Sequence, residues 1–101
     1  MTPRDQLRLE AAAIARICAH HQVAELSVFG SMARGDAGPE SDIDFLVAFQ
    51  PGAAVGLVAF NRLRRELEEV LGRPVDLVPK DGLKSIIRDD ILAEAQVLYA
   101  A

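Results

Sequence analysis

One stretch of the sequence, from Phe29 to Val47, constrains the fold more than any other part of the chain. It reads as the end of an apolar strand, a Gly30-Ser31 turn, a short polar loop, and a second strand that begins with Asp42 and Asp44. Side chains alternate between the two faces of a strand, so both carboxylates are predicted to lie on one face, about 7 Å apart along the backbone. The pattern therefore predicts strand, turn and strand, with two acids at the mouth of the second strand.

These residue types indicate a particular chemistry. Two adjacent carboxylates repel each other unless a cation lies between them. Oxygen ligands of this kind suit Mg²⁺, which usually keeps several waters and is completed by phosphate oxygens of a substrate. Gly30 lets the backbone approach an anion closely, and a helix that begins at Ser31 or Met32 offers a hydroxyl and free N–H groups to a phosphate. A phosphate site followed by metal carboxylates indicates an enzyme that acts on a nucleoside triphosphate.

The two motifs together resemble the signature of a known superfamily. Gly30-Ser31-x-x-Arg34-Gly35, followed by Ser-Asp-Ile-Asp-Phe-Leu-Val over 41–47, is similar to the pattern of the DNA polymerase β-type nucleotidyltransferases. The small size narrows the resemblance to the minimal nucleotidyltransferases (MNT proteins), which resemble the antitoxin half of pairs whose toxin is a helical HEPN ribonuclease. The likeness extends over nearly the whole chain, and Phe45 stands where Leu is more usual.

The resemblance implies a set of metal-binding and catalytic residues. Asp42 and Asp44 are expected to hold two Mg²⁺ ions. Local sequence leaves Asp76, within the apolar run Val75–Val78, open between an exposed strand-edge position and a ligand. In the superfamily a third aspartate on the following strand completes the metal site, so Asp76 is expected to bind one ion and to take the proton from the attacking hydroxyl.

The resemblance also implies a nucleotide-binding set. Gly30 and Ser31 are expected to hold the β- and γ-phosphates of ATP, which places the α-phosphate over the metals. Arg34 belongs to the same motif and could neutralise triphosphate charge, although a structural role on the surface is slightly favoured for it. Ser41 is predicted to be a turn or cap residue rather than a nucleophile, because no histidine base is placed to activate it.

Hydrophobic spacing along the chain predicts an α/β (α+β) fold, a small mixed β-sheet with helices packed on it. The first helix is predicted to begin with Thr2 as its cap and Pro3 at its first position, and to end at His20 and His21. The other predicted elements are strands over 26–29, 42–49 and 75–78, a helix over 54–71 and short helices within 83–95. The segment over 97–99 is predicted to be either a last short strand or a packed tail.

Size and charge limit the classes of function. A chain of 101 residues is predicted to form one domain over 1–101, without a second domain for an acceptor. A net charge of −4 and a pI near 5.0 argue against direct binding of nucleic acid. The sequence has no apolar run of the ~20 residues that span a membrane, and one cysteine, Cys18, cannot form an internal disulfide. A cytoplasmic location is expected.

Three functions stay open. The first is an ATP-using enzyme that transfers AMP to a hydroxyl of a HEPN toxin. The second is an antitoxin that neutralises a HEPN toxin by contact alone. The third is a nucleotidyltransferase with a small-molecule acceptor, such as an aminoglycoside. Because the chain has no acceptor-binding domain, the acceptor surface is expected to come from another chain or from a second copy, as a hetero- or homo-oligomer.

Overall fold

The computed structural model describes residues 3–38 and 40–101. The helices are α1 (Pro3–Leu9), α2 (Ala11–His20), α3 (Ser31–Arg34), α4 (Leu57–Leu71) and α5 (Ser85–Glu94). The strands are β1 (Val23–Phe29), β2 (Ile43–Phe49), β3 (Val75–Pro79) and β4 (Gln96–Ala100), and a 3-10 turn follows β3 at Lys80–Gly82. Within these described ranges, no helix is long and apolar enough to cross a membrane.

The four strands form one mixed sheet in the order β3-β2-β1-β4. β1 is antiparallel to both β2 and β4, whereas β2 is parallel to β3. A parallel pair needs a crossover connection, and α4 provides it between β2 and β3. The central position of β2 explains its continuous apolar run, because Phe45, Leu46 and Val47 are all buried. The mixed sheet with packed helices is confirmed.

The core lies between the sheet and the helices α2 and α4, which pack on each other and on the strands. Both helices present one apolar stripe to this core, with buried residues Ile14, Cys18, Leu63, Leu67 and Leu71. Burial raises the pKa of the Cys18 thiol to about 11, so this cysteine is an unreactive packing residue.

Some predicted boundaries differ from the observed ones. The first helix is divided at Glu10, although the hydrogen bonds from Glu10 N–H to Gln6 and from Ile14 N–H to Glu10 keep the helical pattern. β1 begins at Val23 because its first residues pair with the end of β2. β2 begins at Ile43, so Asp42 precedes the strand. The segment over 83–95, which is predicted to hold short helices, forms the single helix α5. The predicted cap Thr2 lies outside the described residues.

This topology brings the end of β1 and the starts of β2 and β3 to the same end of the sheet. β1 ends where its antiparallel neighbour β2 begins, and β3 begins beside β2 because the two strands are parallel. The hydrogen bond from Ile43 N–H to the Pro74 carbonyl, 3.0 Å long, ties the two starts together. The turn after Phe29 therefore meets the acids at the start of β2 and β3.

Candidate active site

The turn after β1 is built around Gly30. Its backbone has φ 70° and ψ −149°, a region that is essentially restricted to glycine. The preceding residue, Phe29, pairs with Asp44 across the sheet, so the turn passes directly over that carboxylate. A Cβ added to Gly30 would collide with the Asp44 Oδ2 atom. Glycine is thus required here both by the backbone angles and by the close approach to Asp44.

Ser31 begins the short helix α3, as the sequence predicts. The residues Met32 and Ala33 are buried and fasten this helix to the core. The helix ends at Gly35 in the left-handed conformation, and the Asp36 N–H donates to the Ser31 carbonyl over 2.9 Å. The Gly-Ser turn is therefore held rigidly from the buried side, while Ser31 itself is half-buried at the rim of the site.

Two of the three predicted carboxylates lie directly opposite each other. Asp44 on β2 is the register partner of Asp76 on β3, and neighbouring strands lie about 4.8 Å apart. Asp42 comes one residue before β2 and is exposed, as is Asp76, whereas Asp44 is half-buried. The sheet therefore brings Asp76, which the resemblance groups with the other two acids, next to Asp44. Asp44 and Asp76 come from two strands that begin at the same end of the sheet, and Asp42 lies one residue before the first of them.

The charges of these acids act on Asp44. Burial raises the pKa of the Asp44 carboxyl above its ordinary value of 3.8, and the negative charges of Asp76 and Asp42 raise it further. Arg34 lowers this pKa and Glu94 raises it, both by smaller effects. A carboxylate held beside like charges is stabilised by a cation more than an isolated one. The electrostatics of the site therefore favour a bound cation near Asp44.

Arg34 lies at the end of α3 with about half of its side chain exposed. Its Nε donates to Asp36 Oδ2 over 3.1 Å, and its Nη1 lies 3.2 Å from Glu94 Oε2. The hydrogen bonds to Asp36 and Glu94 raise the pKa of the Arg34 guanidinium. The guanidinium thus lies beside the Gly-Ser turn, paired with two carboxylates of the same chain.

Glu94, the last residue of α5, is a site residue that the sequence did not reveal. Its Oε1 accepts a hydrogen bond from the Gly30 N–H over 2.9 Å, across 64 positions of the chain. No motif or spacing marks this residue, since it follows an ordinary run of polar and apolar residues in a predicted short helix. The contact depends on how α5 and β4 return past the end of β1.

Arg73 is a second residue that sequence reasoning missed. Its guanidinium donates to the carbonyls of Gly38 and Ser41 and to Gln6 Oε1, at 3.2–3.3 Å. The Ser41 hydroxyl in turn accepts from the Gly38 N–H over 2.9 Å, which agrees with its predicted turn role. Arg73 thereby fixes the loop that leads into Asp42, and it does so from the chain segment just before β3.

The donor set is compatible with Mg²⁺. Three carboxylates from adjacent strand ends offer the hard oxygen ligands that this ion takes from proteins. Within residues 3–38 and 40–101, no group of three or more His, Cys, Asp or Glu side chains is already arranged to hold a metal ion. The chemistry of the donors and the raised pKa of Asp44 are the observations that speak for a cation at this edge.

Comparisons with known proteins agree with this geometry. Residues 12–98 match the family model described as a nucleotidyltransferase domain. The protein adenylyltransferase MntA of Thermococcus cleftensis is 46% identical over 72 residues, which cover 71% of this chain and 71% of that protein. The family-model match spans the Gly-Ser turn and most of the sheet.

Solved structures have the same fold. The structure of a candidate minimal nucleotidyltransferase matches with a TM-score of 0.79 and 41% identity, over 92% of this chain and 93% of that one. A toxin–antitoxin complex with AMP-PNP matches with a TM-score of 0.74 and 20% identity, over 90% and 73% of the two chains. A tri-AMPylated HEPN toxin of Shewanella oneidensis in complex with MNT antitoxin matches with a TM-score of 0.69 and 18% identity, over 94% and 73%.

Proposed function

The chain belongs to the nucleotidyltransferase domain family, and on that premise we propose that it transfers AMP from ATP to a hydroxyl group of a partner protein. The partner that we propose is a toxin of the HEPN family, for which this chain would be the antitoxin. The 46% identity to a protein adenylyltransferase supports the reaction. The fold shared with an antitoxin bound to an AMPylated HEPN toxin supports the partner.

One observation carries the proposal: the Gly30 turn lies against Asp44, and Asp44 lies opposite Asp76. A triphosphate held at the turn by the Gly30 N–H, the Ser31 hydroxyl and Arg34 would have its α-phosphate next to the acids. Holding reactants in this way converts a bimolecular step into an effectively unimolecular one. The close contact of turn and acids is what such positioning requires.

We assign the metal site to Asp42, Asp44 and Asp76, which would hold two Mg²⁺ ions. Bound there, Mg²⁺ would neutralise triphosphate charge and stabilise both the entering and the leaving oxygens. The carboxylates of Asp42 and Asp76 are exposed and can adjust to such a role, whereas Asp44 is half-buried and lies against the Gly30 turn. The net charge of −4 makes a cation still more necessary for binding an anionic substrate.

The proposed reaction is a substitution at the α-phosphorus of ATP. The acceptor hydroxyl oxygen forms a bond to the α-phosphorus, and the bond from that phosphorus to the bridging oxygen of the β-phosphate breaks. Pyrophosphate leaves, and the proton of the hydroxyl passes to the Asp76 carboxylate. Asp76 is suited to this because it is exposed at the mouth of the site, where an acceptor can approach it.

The acceptor side of the site would come from the partner. The described residues form one hydrophobic core, and the acids lie at the end of the sheet where β2 and β3 begin. A toxin hydroxyl that reaches this edge would receive AMP, a bulky anion. Added at an RNA-binding surface, this anion would repel RNA phosphates and silence the nuclease. In this proposal the chain does not bind nucleic acid itself, and it affects RNA only by modifying the toxin.

The proposal is tested with ATP labelled on either the α- or the γ-phosphate, incubated with this protein, Mg²⁺ and a HEPN-family toxin. We expect the α-label, and none of the γ-label, to become attached to the HEPN protein, because pyrophosphate leaves. Chelation of the metal with EDTA should abolish the transfer. Label on the HEPN protein from γ-ATP, or equal transfer in EDTA, would contradict the proposed reaction.

A further inference from the structure

The N–H of Gly30 already donates a hydrogen bond to an anionic group, the carboxylate of Glu94. Glu94 Oε1 accepts its hydrogen bond at 2.9 Å, and the two oxygens of the same carboxylate lie 3.4 and 3.2 Å from Arg34 Nη1. One side chain thus takes up two of the donors that the proposed function assigns to the triphosphate. An N–H that donates to Glu94 in this geometry is not free to donate to a phosphate oxygen as well.

The Glu94 carboxylate and a triphosphate cannot both occupy the Gly30 turn, because both are negatively charged. Glu94 and a triphosphate are both anions, and the charge of Glu94 already contributes to raising the pKa of Asp44. If Glu94 kept its place while a nucleotide bound, its carboxylate would face the phosphates over a few ångströms in a partly buried site, where such repulsion is strong. A nucleotide must therefore displace the carboxylate from the turn.

The packing around Glu94 permits such a displacement. Its side chain is 29% exposed, and none of the residues of α5 is buried. The α3 helix has a separate support, because Gln96 Nε2 donates to the Ala33 carbonyl over 3.2 Å and β4 pairs with β1. Withdrawal of the Glu94 side chain thus breaks its own contacts without loosening the turn or the core.

We propose that Glu94 is an internal competitor of the nucleotide, a carboxylate that occupies the Gly30 N–H and Arg34 until a triphosphate replaces it. The proposal rests on the proposed function, since it concerns the same binding turn. It assigns to α5 a control over nucleotide affinity: whatever draws Glu94 away from Gly30 frees the site. A fixed brace at the same position would have the opposite effect on binding, because its removal would disorder the turn.

The test compares the affinity of the wild-type protein, Glu94→Gln and Asp90→Asn for a non-hydrolysable ATP analogue with Mg²⁺, by calorimetry. Glu94→Gln keeps the side-chain shape but removes the charge that strengthens the contacts with Gly30 and Arg34. We expect it to bind roughly tenfold more tightly, since a charge-assisted contact is about twice as strong as a neutral one. Asp90→Asn removes one negative charge from an exposed position of the same helix and should change the affinity less than about twofold.

Weaker or unchanged binding by Glu94→Gln would overturn the proposal, and so would an equal gain in Asp90→Asn. A second measurement needs no variant: the carbon resonance of the Glu94 carboxyl in the wild-type protein should shift when the analogue binds, and an unshifted resonance in the bound protein would overturn the proposal. Failure of every protein to bind the analogue contradicts the proposed function itself, and the competitor role with it. The outcomes therefore separate the two ideas.

Discussion

Asp44→Asn is expected to lower the rate of AMP transfer about 10³-fold or more while the fold stays intact. The amide keeps the volume of the side chain but loses the charge that would hold the metals. Bound metals would stabilise the transition state by several kcal/mol, and this stabilisation would be lost. Asp44 is the best placed of the three acids, because it lies under the Gly30 turn and opposite Asp76. Steady-state transfer rates to the HEPN protein measure the effect. Normal transfer by this variant would show that Asp44 is not a ligand.

The stability of the same variant provides a further check. In EDTA the raised pKa of Asp44 means that the folded protein holds this proton more tightly than the unfolded chain. The Asp44 charge therefore destabilises the fold as the pH rises above 3.8 and through the higher folded-state pKa. Denaturant titrations should find Asp44→Asn at least as stable as wild type at pH 7, with less advantage at pH 3. Asp90→Asn, a change of the same type at an exposed position, is the matched control.

Gly30→Ala is expected to damage both stability and activity. The backbone angles at Gly30 cost a residue with a Cβ about 1–3 kcal/mol, and the collision with Asp44 Oδ2 adds to that cost. For a domain of this size we expect the melting temperature to fall by about 10 °C or more. Relief of the collision would move Asp44, and a displacement of about 1 Å at a reacting centre costs about 10²-fold in rate.

Gly72→Ala is the matched control. Gly72 also has a positive φ, 63°, and ends α4, but nothing lies within 4 Å of the place its Cβ would take. Its substitution should cost about 1–2 kcal/mol and leave the transfer activity of the folded protein unchanged. Equal loss of activity in both variants, measured below their melting temperatures, would mean that contact with Asp44 gives Gly30 no special role.

The part of the site that the sequence predicts is the part built from local pattern. Gly30 and Ser31 follow directly from a strand, and Asp42 and Asp44 lead directly into one, so turn chemistry and strand alternation place them. Local sequence leaves Asp76 open between an exposed strand-edge position and a ligand, and only the resemblance to the superfamily groups it with the other two acids. The parallel register of β3 on β2, which the sequence does not predict, places Asp76 opposite Asp44.

The sequence does not reveal the roles of Glu94 and Arg73, because their contacts join residues far apart along the chain. Glu94 reaches Gly30 only after α5 and β4 have folded back past β1, and Arg73 reaches Ser41 across the start of two strands. Neither contact has a periodic or compositional signal, since a charged residue on an exposed helix or loop is the ordinary case.

The mass of the HEPN protein, isolated from cells that also express this chain, tests the central claim most directly. With the wild-type chain, intact-mass and peptide analysis should find AMP on a hydroxyl side chain of the HEPN protein, and its ribonuclease activity should be lost. The variant Asp42→Ala/Asp44→Ala should leave the HEPN protein unmodified and active, although the variant is still folded and present. If that variant protects the cells fully, and the HEPN protein carries no added mass with either chain, neutralisation works by contact and the enzymatic account is wrong.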